Sequence, residues 1–177
     1  MSTPHIPLPA RALLSVLSAR WDRFWPDLVP KIENILGRID YESDLIPFTQ
    51  TRYYDRELGN PIARRILSFA RPLAMDGLAD IKLATNCLEE EWSTSGQRLF
   101  NLDPGYLTQE RLVLATGKNF SHRVYLSHGI WADLTLIFHK GEWFDLPWTF
   151  PDYSTAEIKV HLTRIREMYK NDLKHMR

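Results

Sequence analysis

Arg123-Val124-Tyr125-Leu126-Ser127-His128-Gly129-Ile130-Trp131-Ala132-Asp133 is the stretch whose reading decides the fold. Two β-prone runs flank Ser127-His128-Gly129, and the second continues to Phe138. A three-residue loop with Gly129 in the left-handed position predicts an antiparallel hairpin. That loop sets the register. Leu126 then faces Ile130, Val124 faces Ala132 and His122 faces Leu134 on an apolar side. Tyr125 meets Trp131 and Arg123 meets Asp133 on the other, an aromatic and a charged cross-strand pair.

Upstream of the hairpin, Leu112 to Thr116 is apolar on both faces, as in a central strand. Arg98 to Leu102 reads as a short strand, and Asp103-Pro104-Gly105-Tyr106 has the Pro and Gly positions of a type II turn. A helix is expected from about Asp76 to Trp92. Leu78, Ile81, Leu88 and Trp92 face the core, and Lys82, Asn86 and Glu89 share a second face. Ile62 to Phe69 reads as a strand, Thr51 to Asn60 as a loop, and Ile39 to Phe48 as a strand ending at Pro47. Pro26 suits the first turn of a helix with the stripe Leu28, Ile32, Ile35 and Leu36, stopped by Gly37. Ala12 to Ala19 has the composition of a helix and the length of a buried strand. Residues 1–10, with Pro4, Pro7 and Pro9, read as an extended tail before a single domain over 11–177. At the other end, Ser154 and Glu157 form a capping box for a last helix with Ile158, Leu162, Ile165 and Tyr169 buried.

The order is strand, helix, strand, strand, helix, strand, then a meander and a final helix. The expected fold is α+β: a mainly antiparallel sheet with a split β-α-β, ferredoxin-like start, helices packed on one face and a C-terminal helix.

Composition bounds the function. The 177 residues are 44% hydrophobic and 25% charged, ordinary globular values that support a sizeable core. Lys+Arg and Asp+Glu both total 22, and this neutrality argues against a general nucleic-acid binder. No apolar run reaches the ~18 residues of a membrane span. The single cysteine, Cys87, excludes an internal disulfide and a Cys-based zinc site, and suits a cytoplasmic setting. Cys87 sits beside Leu88 in the expected helix and reads as a buried, inert thiol.

Several strings together resemble a known family: Tyr53-Tyr54 with Glu57 and Gly59; Ile81-Lys82 with Thr85-Asn86 and Glu89; Asn101 to Tyr106; Ser121 to Leu126; and Leu146-Pro147-Trp148-Thr149 with Pro151-Asp152-Tyr153. They are similar to a bacterial family catalogued as domain of unknown function 4416, over nearly the whole chain. Genome descriptions sometimes label its members GTP-binding. Gly117-Lys118 does not support that label, because Asn119 stands where a phosphate loop has Ser or Thr and the upstream glycine is missing.

The candidate site residues fall in four segments. Lys118, His122 and Arg123 form an anion-binding group, Arg and Lys for charge and His122 for proton transfer near neutral pH. The competing reading pairs Arg123 with Asp133 and packs His122 on the sheet. Asn101, Asp103 and Tyr106 flank the Asp-Pro-Gly turn; Asp103 presents its carboxylate to a ligand or caps its own turn. Lys82 and Asn86 wall a pocket or belong to a solvated face. Tyr53 and Glu57 occupy a loop, where Tyr53 stacks on a ligand ring or covers the core edge. His122, Asp103 and Glu57 are thus the candidate catalytic groups, and Arg123, Lys118, Lys82, Asn86, Asn101, Tyr53 and Tyr106 the candidate ligand contacts. His122, His128 and His139 share no face, so no metal site is expected, and the sequence identifies no cofactor. The leading expectation is a pocket for a small anion, a nucleotide or a phosphorylated metabolite. The alternative is a non-catalytic homo-oligomeric or partner-binding module with Trp131, Trp143 and Trp148 at its interface.

Overall fold

The computed structural model describes residues 1–175. The elements, in chain order, are β1 (Ala10–Ser18), α1 (Trp25–Leu36), β2 (Ile39–Glu42), β3 (Ile46–Pro47), α2 (Asp55–Leu58), β4 (Ala63–Leu73), α3 (Leu78–Glu91), β5 (Ser93–Thr94), β6 (Gln97–Arg98), β7 (Asn101–Leu107), β8 (Arg111–Thr116), β9 (Arg123–Ser127), β10 (Ile130–His139), β11 (Glu142–Asp145) and α4 (Ala156–His175). Residues before Ala10 form no regular element, and Met1 to Leu8 are exposed.

The main sheet runs β11-β10-β8-β7-β1-β4-β2, with β3 also on β4 and β9 also on β10. Each pairing is antiparallel. β4 lies between β1 and β2, and β1 lies between β4 and β7. The two helical crossovers, through α1 and α3, therefore each join strands that are parallel to one another with an antiparallel strand inserted. This is the split β-α-β, ferredoxin-like arrangement expected from the element order.

β1 resolves the ambiguous segment as the central strand, buried along its whole length. Its alternation serves both faces. Ala12, Leu14 and Val16 pack with Leu28, Ile32 and Leu36 of α1 and Leu88 of α3. Leu13 packs with Ile158, Leu162, Ile165 and Tyr169 of α4 on the opposite face. A strand covered on both sides loses the period-two polarity that marks a half-exposed one, which is why its composition also suited a helix.

Four local readings change. Asp103-Pro104-Gly105-Tyr106 is not a turn: all four residues lie inside β7, paired with Ser15, Leu14, Leu13 and Ala12. Pairing with β8 begins only at Gly105, so Pro104 stands where one neighbour has ended and a missing N–H is tolerated. The expected strand Ile39–Phe48 is broken into β2 and β3. Ser43 replaces a ladder residue with its side chain: its N–H donates to Ile66 O (3.0 Å) and its Oγ accepts from Ile66 N (2.9 Å). The hairpin turn is the two-residue His128-Gly129, both with positive φ (51° and 77°), and Ser127 faces Ile130. A bulge before Trp131 then restores the predicted pairs Tyr125–Trp131, Val124–Ala132 and Arg123–Asp133, while Leu126 no longer faces Ile130. On α4 the N-cap is Thr155, whose Oγ1 accepts from Ile158 N (3.4 Å); Ser154 donates to Phe150 O instead.

Cys87 is exposed on α3, not buried. Trp143 is buried in the core, which removes it from any interface. No described helix is long and apolar enough to cross a membrane.

Candidate functional site

β7 is paired on both edges only from Gly105 onward. Over Asn101–Pro104 its second edge is free of strand neighbours, and α3 supplies the missing partners. Lys82 donates its ammonium to Leu102 O (2.7 Å), and Glu89 accepts from Leu102 N–H (2.5 Å). Two charged residues thus satisfy one buried peptide unit, which explains why both are buried on a helix face that pattern alone would leave in solvent. Lys82 also lies 3.7 Å from Asp103 Oδ1.

Arg98 ties this edge to α2. Its Nε and Nη2 hold the two carboxylate oxygens of Glu57 (2.6 and 2.9 Å). Its Nη1 donates to Glu89 (2.6 Å) and to Asn101 Oδ1 (2.8 Å), and Asn101 Nδ2 donates to Asp103 Oδ2 (2.7 Å). Glu57, Glu89, Asn101, Asp103 and Lys82, from three elements, form one network around an arginine on a fourth that the sequence pattern did not single out. Its only signal was position, three residues before Asn101.

The electrostatics follow from this wiring. The Arg98 hydrogen bonds hold the Glu57 carboxyl below its ordinary range. Burial raises Glu89, against the pull of Lys82 and Arg98. Arg98 is driven up by its bonds to Glu57. Burial, and then the charge of Asp103, push the Tyr54 hydroxyl far above the usual phenol range. Tyr54 therefore stays protonated beside the network.

Beneath Asp103 lies a second polar layer. Ser15 pairs with Asp103 across β1–β7. Arg64 is buried between the rings of Phe48 and Tyr153 (5.2 and 4.5 Å) and paired with Asp152. Arg64 Nε and Nη1, Ser15 Oγ and Tyr153 Oη are buried without hydrogen-bond partners among the described residues.

Lys118, His122 and Arg123 divide. Arg123 Nε donates to Asp133 Oδ2 (2.8 Å) and its Nη1 to Lys118 O (2.9 Å). His122 Nε2 shares the same carboxylate oxygen (3.2 Å), and the imidazole stacks on Trp148 (4.8 Å, 8°). His122 does not face Leu134 because the strand begins only at Arg123 and the buried Asp133 draws the ring in. Lys118 turns the other way: its Nζ donates to Tyr53 Oη (3.3 Å) and lies 5.2 Å from that ring. Tyr53 in turn sits edge-on to Tyr54 (4.9 Å, 90°). Through these contacts the 117–123 loop reaches the α2 segment beside the Arg98 network.

Asn86 lies one turn from Lys82, half-buried, and joins none of these bonds. Tyr106 stands apart. It packs with Leu78 and Val113 on the α3 side of the sheet, while Asn101 and Asp103 point to the other side. No cluster of three His, Cys, Asp or Glu with metal-holding geometry occurs among the described residues.

The family profile described as domain of unknown function (DUF4416) matches residues 8–169. The chain belongs to that family. No curated protein matches it, and no solved structure does.

Proposed function

We propose that this DUF4416 member binds a small anionic ligand, of the nucleotide or phosphorylated-metabolite class, where the 117–123 loop meets α2. The observation that carries this reading is Lys118. Arg98, Lys82 and Arg123 are engaged by carboxylates and carbonyls, whereas the exposed Lys118 ammonium has only the neutral Tyr53 hydroxyl as partner among the described residues. An ammonium over an exposed ring offers a phosphate a charge and a ligand ring a stacking surface. Asp103, with a side chain 28% exposed, is the acid we assign to the ligand, since the equally exposed Glu57 carboxylate is held in a bidentate bond by Arg98 and His122 is held by Asp133. We place this function in the bacterial cytoplasm, in keeping with a lone cysteine.

A thermal-shift screen against nucleotides, sugar phosphates and inorganic phosphate tests the proposal. Ligand at ~100 times its dissociation constant stabilises by about 2.7 kcal/mol. A hit that vanishes in Lys118→Ala and weakens in Tyr53→Ala is expected; no hit across the panel rejects the reading.

One observation favours the alternative of a partner-binding module. β9 is an edge strand with Val124 and Tyr125 67% and 54% exposed, and no Pro or Lys guards its 124–127 stretch. A monomer by light scattering across the working concentration range rules out a homo-oligomer through this edge.

A further inference from the structure

We infer that the α2 surface also takes a single-stranded nucleic acid, in an extension that rests on the small-ligand reading above. Four cations surround α2. Arg52 and Arg56 are exposed on the segment that carries Tyr53. Arg20 lies against the end of α2, its Nε 3.6 Å from where a Cβ on Gly59 would stand. Lys118 arrives from the opposite loop at Tyr53. None of the four forms an ion pair with a described carboxylate. The acids of the α2 segment are Asp55, half-buried, and Glu57, which Arg98 holds in a bidentate bond. A chain of zero net charge thus carries a local positive excess.

Two exposed rings flank Lys118: Tyr53, 67% exposed, on which its ammonium rests, and Phe120, 63% exposed, two residues further along the same loop. Both are held rather than loose. Tyr53 is braced by Tyr54, and Phe120 lies 5.4 Å from His122, itself stacked on Trp148. A single small anion engages Lys118 and leaves Arg20, Arg52 and Arg56 without a role. A polyanion whose charges repeat along a chain engages all four, and unstacked bases supply the flat partners that the two rings require. Acidic peptides share the charge but not the rings, which is why the nucleic acid is the occupant the surface favours.

Fluorescence anisotropy with a labelled oligothymidylate octamer, set against thymidine monophosphate, is the test. The octamer is expected to bind at least tenfold tighter than the mononucleotide. Four phosphate contacts at about 0.7 each predict a slope of log K against log salt near −3. Arg52→Ala and Arg56→Ala are expected each to weaken the octamer several-fold and to flatten the slope by about 0.7, with mononucleotide affinity unchanged. Phe120→Ala is expected to weaken the octamer without altering the slope. An octamer no tighter than a mononucleotide that does bind overturns this inference and leaves the small-ligand site standing. Failure of the octamer to bind overturns this inference whatever the mononucleotide does, and the small-ligand reading is then decided by the thermal-shift panel alone. Displacement of the octamer by polyglutamate at equal charge, with Phe120→Ala silent, also overturns it and points to an acidic protein partner.

Discussion

Gly105 carries no side chain because β8 leaves it no room. A Cβ there would stand 2.4 Å from Val113 O and 2.7 Å from Leu114 Cδ2. Gly105→Ala is therefore expected to destabilise the fold by at least about 2 kcal/mol, as overpacking in a rigid sheet does. Urea denaturation measures this; an unchanged midpoint contradicts the strand assignment for residues 103–106. Arg98 is the second test at this scale. Removing it takes from the buried Glu89 carboxylate its only side-chain hydrogen bond among the described residues and leaves Lys82 as its one remaining nearby cation, and breaking a buried charge pair in this way costs about 3–5 kcal/mol. Arg98→Ala should thus unfold well before Glu57→Ala, whose carboxylate is more open to water. Lys82→Met keeps the apolar stem but orphans Leu102 O, a loss of roughly 1–3 kcal/mol. The pairing of Arg123 with Asp133 followed from the hairpin register, which depends on neighbours ten residues apart. The Arg98 network did not: it joins Glu57 to Arg98 across 41 residues, a separation at which local spacing carries no signal.

At the scale of elements, α4 closes one face of the sheet and meets β2 through a titratable contact. The Tyr41 hydroxyl lies 2.6 Å from His161 Nδ1, and a neutral imidazole accepts that bond. Burial holds the His161 pKa below 6.5, with Arg164 adding to the shift and Glu157 and Asp44 opposing it. The unfolded chain then binds more protons than the native one below its ordinary histidine pKa. Stability therefore falls as pH drops from ~6.5 through the depressed native value, and rises again with pH. Denaturation of wild type and His161→Gln between pH 5 and 8 checks the sign: the wild type should lose the larger share on acidification. Thr155→Ala removes the α4 N-cap and should cost about 1 kcal/mol by the same assay. The amphipathic helices and the hairpin were legible because their periods are local. The Asp-Pro-Gly run was misread because turn chemistry and a strand's tight approach both call for Pro and Gly. The choice between them lies in β1, about 90 residues away. The break between β2 and β3 and the α2 turn were hidden for a related reason, as short features held by contacts made elsewhere in the chain.

For the whole molecule, the split β-α-β order brings β6, the start of β7, α2 and α3 together at one end of the sheet, beyond the reach of β8, and the 117–123 loop reaches the same place. That convergence joins four of the predicted segments and leaves Tyr106 on the opposite face. Net charge and composition described the chain's average and so concealed the local excess around α2. The most direct measurement is an isothermal titration of wild type, Lys118→Ala and Tyr106→Ala with whichever nucleotide or phosphometabolite first stabilises the protein. The account predicts at least tenfold weaker binding by Lys118→Ala at an unchanged melting temperature, and wild-type affinity for Tyr106→Ala. Full affinity in Lys118→Ala, or its loss in Tyr106→Ala alone, would place the ligand on the other face and contradict the site.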